Sequence, residues 1–156
     1  MIDFRAIALA LVLSAPAVAQ TYEVSATSYS TSTSFFTPLS GSLQVYRSQS
    51  TLERYEGLAG SRLEIVEGTC FGSFIIVRGT PSGGGNCIFT DVNGDQVLQA
   101  WNIDQVEQGK GYGTWYFVGG TGAHEGINGR GTYADETDAL SGTSKNTITG
   151  TVTWPE

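Results

Sequence analysis

From Gln20 onward, apolar and polar residues alternate and no stretch recurs at helical spacing. Between Asn146 and Trp154, Ile148, Val152 and Trp154 fall on one face with Gly150, and Thr147, Thr149, Thr151 and Thr153 on the other. That period of two marks a half-buried strand. Leu63 and Ile65 alternate with Arg62 and Glu64, and Val97, Trp101 and Ile103 share a face with Gln99. Trp115 and Phe117 share another, but Tyr116 and Val118 are apolar too, which predicts a strand covered on both sides. Turn signals separate these runs. Pro81 to Gly85 reads as a flexible hairpin loop, and Asn93-Gly94 as a type I′ turn between 87–92 and 96–103. Gly109 to Gly113 and Gly119 to Gly122 are further breaks. The pattern predicts about eight strands, near 21–34, 41–49, 61–67, 72–79, 86–92, 96–103, 112–119 and 146–154, with a short one near 130–135. Segment 50–59 is the one helical or irregular candidate. Short strands at this spacing with glycine turns make a sandwich or a closed barrel, so the fold class is all-β.

The first residues read differently. Ala6 to Leu13 is an unbroken apolar run after Arg5, although Asp3 offsets that charge; Pro16 breaks it, and Ala17-Val18-Ala19 has the small-x-small form of a cleavage site. The run is too short to span a bilayer. Residues 1–19 are therefore expected to be a signal peptide and 20–156 a single domain, exported to the periplasm or outside the cell, with no membrane span. A net charge of −7 repels phosphate backbones and anionic lipids, which argues against nucleic acid as a partner. Two cysteines in an exported chain suggest one disulfide, Cys70–Cys87. In the chain-entropy model, closing a loop of that length stabilises by roughly 3 kcal/mol. The alternative is a reactive thiol.

One segment carries a family resemblance. Gly119-Gly120-Thr121-Gly122-Ala123-His124-Glu125-Gly126-Ile127-Asn128-Gly129 follows the strand-like Thr114-Trp115-Tyr116-Phe117-Val118. The order of strand, G-G-T-G and E-G-x-x-G-x-G-x-Y resembles the allene oxide cyclase and dirigent barrel superfamily. Cys87-Ile88-Phe89-Thr90-Asp91 with Asn93-Gly94-Asp95 is similar to its secreted bacterial members. The resemblance implies an eight-stranded antiparallel barrel, allene oxide cyclase-like, with a central cavity. The plant members are often trimeric, so it also implies a homo-oligomer as one assembly. Gly119, Gly120, Gly122, Gly126 and Gly129 read first as structural, since glycine supplies positive φ and close backbone approach at a barrel corner. Tyr22-Glu23-Val24-Ser25 is similar to the cyclase segment that holds its catalytic carboxylate, which makes Glu23 the weak catalytic candidate; Ser25 replaces an asparagine there. Gly68-Thr69-Cys70 looks like the strand carrying the cyclase's pocket cysteine, a role that a disulfide would remove.

Other chemistry is sparse. Asp91-Val92-Asn93-Gly94-Asp95 has alternate acidic oxygens, but glycine stands fourth and Asn102 stands twelfth, so a hairpin turn accounts for it better than a calcium loop. His124 is the lone histidine and lacks a partner at metal-ligand spacing. No G-x-S-x-G, Walker or dinucleotide pattern occurs, and no cofactor or metal is expected. Asp135, Glu136 and Asp138 read as a solvated loop. Trp101, Trp115 and Tyr133 lie on strands near the glycine motif and either line a ligand pocket or fill the core.

Three functions fit. The first is an exported barrel that binds a small apolar or aromatic molecule. The second is a cyclase or dirigent-like isomerase that guides a reactive intermediate by confinement, which needs few polar groups. The third is a solid structural or assembly barrel. A cavity holding one desolvated carboxylate points to the second, a dry aromatic cavity to the first and a filled interior to the third.

Overall fold

The computed structural model describes residues 20–138 and 140–155; the expected signal segment lies outside them. Eight antiparallel strands follow one another: β1 (Gln20–Ser40), β2 (Leu43–Glu56), β3 (Ile65–Val77), β4 (Thr80–Asp91), β5 (Gln96–Glu107), β6 (Lys110–Gly120), β7 (Asn128–Asp138) and β8 (Thr143–Trp154). Each pairs with its neighbour, and β1 pairs with β8 from Gln20↔Trp154 to Thr31↔Thr143, so the sheet is a closed barrel. Closure removes free edges over the length where all eight strands pair.

Alternation decides what faces inward. On β8, Ile148 and Val152 point in with Asn146, while the threonines point out. On β5, Val97, Gln99, Trp101 and Ile103 point in, and Cα partners carry that face around the barrel. At the end of the barrel where β1 and β8 begin and end, here called the base, Val152 is 0% and Val97 1% exposed. Between Ala26, Phe89, Val97, Gln99, Trp115 and Ile148 about 20 Å³ of free space remains, room for about one water. The lower half of the lumen is filled.

The walls part toward the mouth. Beyond Thr31, β1 pairs only with β2, residues 80–83 of β4 pair only with β3, and residues 103–107 of β5 pair only with β6. The upper ends of β1 to β4 thus form an extension separate from β5 to β8. The inner face of this extension carries Tyr46 stacked on Phe74, ring centroids 4.6 Å apart, and a Ser34–Tyr46 hydroxyl hydrogen bond of 2.7 Å.

Several expectations from the sequence change. The strands expected near 61–67 and 72–79 are one strand, β3, whose register shifts between Ile65 and Glu67. Pro81 to Gly85 is part of β4, and 50–56 is part of β2. Gly72 and Gly85 sit side by side on the inner face, and a side chain at either would meet the six-membered ring of Trp101. Glycine serves there for close approach, with no turn involved. The short strand near 130–135 is the full-length β7, so Asp135 to Asp138 are strand residues. Tyr116 and Val118 are 47% and 56% exposed, so β6 is covered on its inner face alone. The Asn93-Gly94 hairpin forms, but not as type I′: Gly94 has φ +89° while Asn93 is not among the positive-φ residues. Gly94 N–H donates to the Asp91 carbonyl at 3.1 Å, giving a type I turn followed by a left-handed glycine.

Cys70 and Cys87 are directly paired on β3 and β4 with Cα atoms 4.0 Å apart, and they form a disulfide facing the lumen. Cys70 is therefore not a free nucleophile.

Candidate functional site

Buried carboxylate and imidazole side chains sit at two places among the described residues, the base and the mouth. At the base, the segment after β6 turns through Gly122–His124 and buries His124 completely, at 0% exposure. His124 Nε2 lies 3.0 Å from Asp91 Oδ2, and Trp154 Nε1 donates to His124 Nδ1 at 3.3 Å. An indole N–H only donates, so Nδ1 holds the lone pair and Nε2 carries the proton that Asp91 accepts. Neither ring nitrogen is left for a metal or a substrate. Burial raises the Asp91 pKa, but N–H donors from Asn93 and Asp95, together with His124, outweigh it and hold the carboxyl below its usual range. Both Asp91 oxygens are thereby committed, Oδ1 to Asn93 and Asp95.

The same contacts explain the glycine motif. Ala123 N–H donates to Asp95 Oδ2 at 2.9 Å, and Thr121 exchanges hydrogen bonds with the Gln96 backbone. Gly122 has φ +52°, and a side chain there would run into the Asp95 carboxylate. Side chains at Gly120, Gly126 and Gly129 would meet His124, Pro155 and Phe117, whereas Gly119 has open space. The two segments that carry the family resemblance therefore meet and close the base of the barrel. The buried pairing of His124 with Asp91, 33 residues apart, has no local sequence signal.

The mouth holds the other polar group. On β7, Tyr133 and Asp135 point inward; Asp135 is paired with Asn146 on β8, and Asn146 with Ser28 on β1. Ser144 and Thr137 hydroxyls each donate to Asp135 at 2.7 Å. Burial raises the Asp135 pKa, those two hydrogen bonds oppose the shift, and the neighbouring Glu136 charge adds to it. Ser144 and Thr137 also line an open groove of about 620 Å³ at the β7–β8 hairpin end, which puts the carboxylate one hydrogen bond behind its wall. Asn146 Oδ1 is buried without a hydrogen-bond partner among the described residues.

Trp101 and Tyr133 are half-buried and meet edge to face, centroids 6.3 Å apart. The Tyr133 hydroxyl donates to the Asn102 carbonyl at 3.1 Å. Burial and then the charges of Asp135 and Asp104 push its pKa up. Trp115 is deeper, 2% exposed, with its indole N–H on the Thr149 carbonyl. Glu23 is exposed on the outer face, opposite Thr151, away from all of these groups.

Neither the family models nor the curated protein sequences compared with the chain give a match. Among solved structures, the chain is similar to the pterocarpan synthase dirigent protein GePTS1, with a TM-score of 0.54 over 92% of this chain and 90% of that one, at 13% sequence identity. A closed antiparallel barrel of eight strands, matched over nearly its whole length, gives this chain the fold of that dirigent protein.

Proposed function

We propose that this chain is an exported barrel that takes a small aromatic molecule into its mouth, against Trp101 and Tyr133, with Trp115 as the floor beneath. The observation that carries the reading is the half-buried Trp101–Tyr133 pair on the same inner face as the partly desolvated carboxylate of Asp135. Aromatic rings supply contact area and stacking faces, and a few polar groups fix orientation. The filled lower lumen restricts this role to the mouth. The disulfide and the expected signal peptide support an oxidising compartment.

The test is tryptophan fluorescence during titration with small aromatic compounds. Quenching at micromolar concentration in the intact protein and in Trp115→Phe, lost in Trp101→Phe, is the expected result. No change with any aromatic ligand contradicts the reading and leaves a solid barrel.

Asp135 favours a second reading, that the barrel guides a reactive intermediate by confinement. A carboxyl with a raised pKa exchanges a proton near neutrality more readily than an ordinary one. With an added one-electron oxidant that converts a monophenol to its radical, two radicals coupling in the presence of the protein are expected to give products biased toward one enantiomer, with the bias lost in Asp135→Asn. Racemic product in both cases contradicts it.

A further inference from the structure

The charges of the lumen are one-sided. Among the described residues, Arg47, Arg54, Arg130 and Lys145 alternate to the outer face, where Arg54 lies over the Tyr29 ring and pairs with Glu56. Lys110 pairs with Glu136 at 2.7 Å, both well exposed. Arg62 packs on Trp154 at the base, and Arg78 sits in the β3–β4 turn. No described cation turns into the lumen. Of the carboxylates there, Asp91 is committed to His124 and backbone N–H groups. Asp135 has only two neutral hydroxyls as donors, and its cross-strand neighbour Asn146 presents an acceptor with no donor.

Two acceptors lacking a positive partner, beside an aromatic pair, define a complementary ligand. A buried carbonyl oxygen without a donor costs about 1–3 kcal/mol. An ammonium group has three N–H donors and one positive charge, enough for Asp135 and Asn146 together. The rings of Trp101 and Tyr133 give an aromatic ligand its contact area beside them. A carboxylate in that position meets Asp135 within the lumen, whereas Arg54, Lys110 and Lys145 line the groove on the other side of Ser144 and Thr137.

We infer that the molecule taken up at the mouth is an aromatic amine bound as its cation, with Asp135 and Asn146 receiving the ammonium group and Trp101 and Tyr133 the ring. This rests on the mouth being a binding site and adds its charge selectivity. The step is binding alone and needs no co-reactant.

The test is calorimetric titration at pH 7 with three compounds of one skeleton: 2-phenylethylamine, 2-phenylethanol and phenylacetate. The amine is expected to bind at least about tenfold tighter than the alcohol, and phenylacetate more weakly than both. Asn keeps one acceptor oxygen and presents an NH2 to the other hydroxyl, which can turn to accept it, so Asp135→Asn is expected to keep the fold and the alcohol affinity while lowering the amine to the level of the alcohol. Asn146→Leu is expected to weaken the amine more than the alcohol. Equal affinity for the three compounds, or an amine preference that survives Asp135→Asn, overturns the inference and leaves the aromatic site standing. Absence of binding by all three overturns the site itself and the inference with it.

Discussion

Replacing His124 by leucine keeps an apolar side chain of similar size in a fully buried position and removes both ring nitrogens. Two polar atoms then lose their partners. Asp91, 3% exposed, keeps the Asn93 and Asp95 donors on Oδ1 but has nothing on Oδ2. Trp154, 4% exposed, loses the acceptor for its indole N–H. A hydrogen bond to a charged group contributes about 1.5–3 kcal/mol, and an orphaned buried donor costs about 1–3 kcal/mol. The sum is a loss of roughly 2.5–6 kcal/mol, or about 9–21 °C in Tm for a domain of this size. Urea denaturation followed by far-UV circular dichroism measures it without relying on the altered tryptophan environment. Trp154→Phe separates the contributions, because removing the N–H in the His124→Leu background should recover the part due to the orphaned donor. A loss below about 1 kcal/mol in His124→Leu refutes the reasoning that this cluster locks the base.

Removing the disulfide with Cys70→Ser and Cys87→Ser together is expected to cost about 3 kcal/mol, read as a lower urea midpoint that reducing agent reproduces in the native protein; no shift contradicts it. Gly72→Ala puts a methyl group against the Trp101 ring and 2.7 Å from the Gly84 carbonyl oxygen and is expected to cost about 1–3 kcal/mol by overpacking, with partial recovery when Trp101→Phe is added. Asp135 has a folded-state pKa raised by burial, so the folded barrel holds that proton more tightly than the unfolded chain. The associated stability is present at acid pH and is lost as the pH rises through the folded pKa. Asp135→Asn should therefore have a higher Tm than the native protein at pH 7 and an equal one near pH 3; a lower Tm at pH 7 contradicts the direction.

The fold was legible where alternation was clean. β8 and β5 could be read directly from Ile148, Val152 and Trp154 and from Val97, Trp101 and Ile103. It was misread where glycine served packing. Pro81 to Gly85 reads as a loop, yet Gly85 and Gly72 are inner-face strand positions whose missing side chains make room for Trp101. The register shift beside Ile65 broke the alternation of β3, so one strand read as two. Asp135 was hidden in an acidic run, although Gly131, Tyr133 and Asp135 keep the period of two that turns it inward. His124 and Asp91 stood in the two segments that carry the resemblance, but their contact is tertiary and nothing local announces it. The outer position of Glu23 follows from the register of β1 with β8, which four residues of similarity could not supply.

Amide chemical-shift mapping with 2-phenylethylamine at pH 7 tests the central claim most directly, because it reports where a ligand sits. The account predicts that the largest perturbations cluster at Trp101, Tyr133, Asp135 and Asn146, with little change at Val97, Phe117 or Val152 around the filled base. Perturbations confined to the outer face, or none at millimolar ligand, would contradict a binding site at the mouth of this barrel.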